Sequence, residues 1–113
     1  MRVLIFGSTG LLGLSFISRF YDDLDIIAVI NNKNIKVDKV DTIKISLPLL
    51  NYDNLESIIL DKRPEAVINA AAITSIEFCE DNQIETFNVN SKLANMISNI
   101  CYKNNIKLAH IST

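Results

Sequence analysis

The chain contains three glycines, and all of them, Gly7, Gly10 and Gly13, fall in one short stretch. They follow the apolar run Arg2-Val3-Leu4-Ile5-Phe6, and an apolar helical pattern starts straight after them. Elsewhere the chain turns with Asn, Asp and Pro. Glycine confined to one place marks a backbone need that other residues cannot meet. A buried strand that bends sharply into a helix aims the helix's first N–H groups outward, and the macrodipole adds partial positive charge there. A pyrophosphate fits at such a point provided no Cβ blocks its approach. On this reading Gly7 makes the tight turn, Gly10 lets the phosphate come close and Gly13 lets the helix pack on its strand. A strand before the glycines and a helix after them supply the context that separates a dinucleotide fingerprint from a glycine-rich turn that binds nothing.

The rest of the chain alternates between strand and helix patterns. Residues 2–6 read as a buried strand, without polar alternation. Residues 11 to about 21 read as a helix, with Leu12, Phe16 and Phe20 on its inner face and Ile17 flanking them. Residues 26–30 form a second buried strand that runs into Asn31, Asn32 and Lys33. In a dinucleotide fold this place, about 20 residues past the glycines, lies beside the adenosine ribose. No acidic residue stands there to hold a ribose 2′-OH. Lys33 can pair with a 2′-phosphate, which favours NADPH over NADH; the alternative is a solvated loop lysine. Residues 42–47 are a third short strand, reached by a connection too short for a full crossover helix. Pro48 ends it. Asn51-Tyr52-Asp53-Asn54 opens a second helix, with Asp53 the expected N-cap, and this helix stops before Pro64.

A fourth strand begins near Glu65 and runs into Ala70, Ala71 and Ala72. Small side chains after a strand let something large approach the backbone. A cofactor's ribose and nicotinamide would pass here; close packing against a neighbouring helix is the compatible alternative. Residues 76–81 read as a short helical piece, and residues 84 to about 104 as one long helix. Its apolar stripe is Leu93, Ile97 and Ile100, with Met96 and Cys101 beside it. Carried backward, the stripe includes Asn90. A buried amide must find hydrogen-bond partners, so Asn90 either ties the helix to a loop or acts directly in a site. Residues 107–113 are a fifth strand. His110, the only histidine, alternates with Ala109 and Ile111 and reads as a packed strand residue.

Alternating strands and helices give an α/β fold with a doubly wound parallel sheet of Rossmann type. Right-handed crossovers favour the strand order 3-2-1-4-5. The ligand crevice then lies at the carboxyl ends of the strands, between the first and the fourth. The glycine turn, Asn31 to Lys33, Ala70 to Ala72 and Thr113 converge on that edge. With 113 residues, 49% of them hydrophobic, the chain can build one compact core. Net charge is −2 with no basic stripe, which argues against nucleic acid as a partner. No apolar run approaches the ~20 residues that span a bilayer. The N-terminus enters the first strand directly, so a cytoplasmic location is expected. Cys79 and Cys101 are far apart without a CxxC and read as reduced thiols. His110 has no second histidine or carboxylate motif nearby, so no metal site is expected.

Four segments occur in order: Gly7-Ser8-Thr9-Gly10-Leu11-Leu12-Gly13, the run from Arg63-Pro64-Glu65 to Ala70-Ala71-Ala72, Phe87-Asn88-Val89-Asn90, and Ile111-Ser112-Thr113. Together they resemble the extended short-chain dehydrogenase/reductase family. Within it the likeness is greatest to dTDP-4-dehydrorhamnose reductases and related sugar-nucleotide reductases. The run RPEAVINAAAITSIEFCE followed by NVN is the most particular marker. The resemblance implies that the loop holding Gly7, Thr9, Gly10, Leu11, Leu12 and Gly13 binds the NAD(P)H pyrophosphate. It implies that Ala70, Ala71 and Ala72 line the cofactor and that Asn90 supports the site. The Thr113 hydroxyl, with Ser112 before it, would hold the keto oxygen of a sugar nucleotide. The implied reaction is hydride transfer from NADPH or NADH to a 4-keto sugar nucleotide, with a Tyr as proton donor whose pKa is lowered by a Lys four residues later.

The chain departs from that pattern in two places. None of Tyr21, Tyr52 and Tyr102 has a Lys four residues on. Where relatives carry an adenine-reading Asp after the third strand, this chain has Ser46-Leu47-Pro48. A ketone reduction needs a hydride donor, an oxygen clamp and a proton donor. The expectation is therefore a single domain, residues 1–113, that is the NAD(P)-binding part of a sugar-nucleotide reductase. It is truncated after the fifth strand, lacks the C-terminal substrate domain, binds cofactor weakly and reduces nothing alone. One rival is a non-catalytic nucleotide-binding or regulatory subunit of the same fold. The other is a structural domain that self-associates, possible as a homodimer, through the exposed edge of the fifth strand.

Overall fold

The computed structural model describes residues 1–7, 11–31, 40–45, 51–70 and 88–111. Strand β1 (Arg2–Phe6) leads to helix α1 (Leu11–Phe20), then come β2 (Asp25–Asn31) and β3 (Asp41–Ile45). Helix α2 (Tyr52–Lys62) and strand β4 (Ala66–Asn69) follow. A π-helical segment (Asn88–Leu93) then runs into α3 (Ala94–Lys103), and β5 (Lys107–His110) comes last. The strands form one sheet in the order β3-β2-β1-β4-β5, as the sequence predicts. All four strand pairings among the described residues are parallel.

The pleat divides the core into two layers. Leu4 and Phe6 of β1, Ile27 and Val29 of β2 and Val67 of β4 face α2 and α3, where they meet Leu55, Ile59, Leu93, Ile97, Ile100 and Cys101. Val3 and Ile5, with Ile26, Ala28 and Ile30, face the other way and meet Ile17 of α1. The register keeps each layer aligned: Leu4 sits beside Ile27 and Val67, and Val3 beside Ile26 and Ala66. Both sides of β1 and β2 are therefore covered, which is why these strands read as unbroken apolar runs. Each fully buried large aliphatic side chain contributes roughly 1.5–3 kcal/mol of apolar transfer.

Three local expectations change. The inner face of α1 is as expected where it is described: Phe16 and Phe20 are half-buried against the core with ring centroids 4.8 Å apart, and Ile17 beside them is buried. The N-cap of α2 is Asn51, not Asp53: Asn51 is extended (φ −107, ψ 171) and its Oδ1 accepts from the Asn54 N–H at 2.8 Å. Asp53 sits inside the first turn, where its charge still complements the macrodipole. Helix α2 stops as expected, with Arg63 left-handed at φ 50 just before Pro64. The long helix is not uniform. Its described part is π-helical over Asn88–Leu93 before α3 begins, so a 3.6-residue stripe cannot be carried back to Asn90. Leu93, Ile97, Ile100 and Cys101 are buried as predicted. His110 is exposed, not packed. The expected helical piece at 76–81 lies outside the described residues, as do Ser46, Leu47, Ser112 and Thr113.

Candidate functional site at the carboxyl edge of the sheet

Parallel strands and the short span between Phe6 and Leu11 fix where α1 starts. β1 runs to Phe6, and α1 then travels back beside the sheet to deliver the chain to β2, whose Asp25 pairs with Arg2. The amino end of α1 therefore lies at the carboxyl edge of the sheet. Gly7, which ends β1, has φ 81. A residue with a Cβ is disfavoured in that positive-φ region, by about 1–2 kcal/mol, so glycine is the residue that takes it without strain. Gly13 is buried in the second half-turn of α1, consistent with close packing of helix on sheet. The first turn of α1 holds no acidic residue, so no carboxylate of that turn opposes an anion at the positive end of the helix.

The other strands end at the same edge. Asn31 is the last residue of β2 and pairs with Ile45 of β3. Ala70 follows β4 directly, and its N–H donates to the Phe6 carbonyl at 2.9 Å. The Ile111 N–H donates to the Asn69 carbonyl at 3.0 Å. These two bonds tie the ends of β1, β4 and β5 together one residue beyond the ladder. Gly7, Gly13, Asn31 and Ala70 are thus at or beside one edge, and the backbone of Leu11 and Leu12 opens the helix that points there. Asn90 is in the π-helical segment, upstream of Leu93. Thr9, Gly10, Asn32, Lys33, Ala71, Ala72 and Thr113 lie outside the described residues.

Sequence reasoning passed over Asn69. It is 1% exposed and is the one buried polar residue among the described residues. It pairs in register with Phe6 on one side and His110 on the other. Its Nδ2 lies 3.1 Å from His110 Nδ1. The signal was an amide closing the apolar run Ala66-Val67-Ile68, because a buried amide needs partners.

Cys101 is free and buried, and burial pushes its thiol up to about 11. It carries no thiolate near neutral pH and serves as a small apolar core residue. Among the described residues no group of three His, Cys, Asp or Glu side chains could hold a metal. None of their helices is long and apolar enough to cross a membrane. The edge fits a dinucleotide in backbone terms: Gly7 holds a conformation that a Cβ would strain, and the first turn of α1 carries no acidic side chain.

Comparison with known proteins agrees with this architecture. The structure of a hypothetical dTDP-4-dehydrorhamnose reductase from Sulfolobus tokodaii superposes with a TM-score of 0.84 at 28% identity. That match covers 99% of this chain and 39% of the other. UDP-glucose 4-epimerase from Thermotoga maritima, solved with UDP-glucose, gives a TM-score of 0.83 at 21% identity, over 100% of this chain and 38% of that one. The Bordetella bronchiseptica enzyme WbmG, in complex with NAD, gives 0.79 at 23% identity, over 97% and 36%. The last two likenesses establish the fold. The chain spans well under half the length of each of these proteins. No curated protein matches it significantly. A family model described as the RmlD substrate binding domain matches residues 1–113. The match runs the full length of the sequence, and the chain belongs to that family.

Proposed function

We propose that residues 1–113 are the NAD(P)H-binding part of a reductase that transfers hydride to a 4-keto sugar nucleotide. The observation that carries this reading is Gly7, left-handed at the end of β1 where α1 turns its amino end to the sheet's carboxyl edge. The glycine turn with Thr9, Leu11 and Leu12 would take the pyrophosphate. Asn31, Asn32 and Lys33 would border the adenosine ribose, with Lys33 favouring the 2′-phosphate of NADPH. Ala70, Ala71 and Ala72 would line the path toward the nicotinamide, and Asn90 would support it. Thr113 would offer a hydroxyl to the keto oxygen. The bound cofactor would supply the hydride. This chain alone is expected to bind cofactor weakly, and, because the proton donor expected for such a reduction has no counterpart among Tyr21, Tyr52 and Tyr102, to reduce nothing.

Titration of the chain with NADPH and with NADH by calorimetry tests the reading. Binding of either, with NADPH the tighter, is the expected result. A folded chain that binds neither overturns it. Equal affinities would retain the dinucleotide site and remove the role given to Lys33.

A further inference from the structure

The Asn69–His110 contact has a chemical consequence beyond holding two strands together. Two nitrogens face one another at 3.1 Å. The amide nitrogen of Asn69 can only donate, so His110 Nδ1 must present its lone pair. The proton of the neutral ring then resides on Nε2. Asn69 is buried and His110 is exposed, so the ring nitrogen opposite the bond is directed away from the core. The register places this imidazole two strands from Phe6, at the edge where Gly7 turns.

We propose that Asn69 fixes His110 as the Nε2–H tautomer, and that this N–H is a binding donor for an oxygen of a nucleotide seated on the carboxyl edge. Asn69 is the positioning residue and His110 the contact. The second half rests on the nucleotide-site reading above. The oxygen could belong to a dinucleotide or to a nucleotide sugar, and the test separates them.

His110 is the only histidine, so nitrogen-15 spectra of the intact chain contain one imidazole and need no assignment between rings. The expected spectrum has a bare Nδ1 and a protonated Nε2. Asn69→Asp, whose carboxylate accepts a proton-bearing Nδ1, should reverse the tautomer or charge the ring. A wild-type spectrum with the proton on Nδ1 overturns the proposal whether or not that variant folds. Titration with NADH, and separately with dTDP-glucose, should shift Nε2 in one arm. His110→Ala should then weaken that nucleotide by about threefold to tenfold. Binding heat from NADH without an Nε2 response in either arm overturns the donor role and leaves the cofactor reading intact. Absence of both heat and response overturns both.

Discussion

At the amino edge of the sheet Arg2 joins three elements; at the carboxyl edge the strands end in small or uncharged residues. Arg2 Nε bonds Asp25 Oδ2 at 2.8 Å, tying β1 to β2. Its Nη1 donates to the Lys62 carbonyl at 2.7 Å, satisfying one of the orphan acceptors that close α2. Backbone bonds from Asp25 to Met1, Glu65 to Arg2 and Lys107 to Glu65 extend the same closure. Among the described residues at the other edge, Gly7, Asn31, Ala70 and Ile111 carry no charge. Over those residues the two edges share one ladder and differ in side-chain chemistry, and the proposed site lies at the edge without a buried or bridging charge. The difference also separates stability from binding, and substitutions can test the separation.

Gly7→Val should have the largest effect. A β-branched side chain at φ 81 costs at least about 1–2 kcal/mol and would disturb the backbone that aims the amino end of α1 at the carboxyl edge. NADH affinity should fall about tenfold or more, read by calorimetry on protein shown to be folded. Unchanged affinity would mean the turn is glycine for fold alone, and the contrast between the edges would lose its functional meaning.

Asn69→Ala comes next. It removes the buried donor to His110 and leaves a small void, for about 1–2 kcal/mol, seen as a lower urea midpoint. A loss well below that would show that the carboxyl edge does not depend on its buried amide. Arg2→Ala sharpens the comparison from the other side. Its ion pair is exposed and worth little, while the bond to the helix carbonyl is partly buried, so about 1 kcal/mol should be lost. NADH affinity should stay unchanged, because the residue sits at the opposite edge. A joint loss of stability and affinity would show the edges to be coupled.

Much of this was legible because periodicity reports burial. The runs at 2–6 and 26–30 read as strands covered on both sides, and parallel connectivity then set the order of the sheet and the edge where the ligand site is proposed. Gly7 was legible because its conformation disfavours residues with a Cβ. What was not legible depends on which neighbour a side chain meets. Asn51 and Asp53 are both good caps, and only the extended backbone at Asn51 decides between them. The π-helical start before α3 changes the phase of the helix without a glycine or proline to announce it. Asn69 and His110 are distant in sequence, and their bond exists only once β4 and β5 are in register.

The smallest effect concerns neither edge, and so provides the control for both. Glu56 of α2 accepts from Asn104 Nδ2 at 3.2 Å and pairs with Lys103 Nζ at 3.2 Å, clasping α2 to the end of α3. The Asn104 bond first, then Lys103, hold its carboxyl below the usual 4.5, with burial opposing them weakly. A carboxyl depressed on folding contributes stability that is present above its ordinary range and lost as pH falls through the folded value. Glu56 also raises Lys103, whose contribution is present below its ordinary range and lost as pH rises through the folded value. Glu56→Gln should therefore lower Tm slightly at about pH 7, and the difference should vanish as pH falls through the folded value and the wild-type carboxyl takes up its proton. Because the clasp lies on exposed helix ends, salt should shrink the difference further. NADH affinity should not move. If it did, the helical layer and the carboxyl edge would share one equilibrium, and the losses assigned to Gly7 and Asn69 could not be read as local.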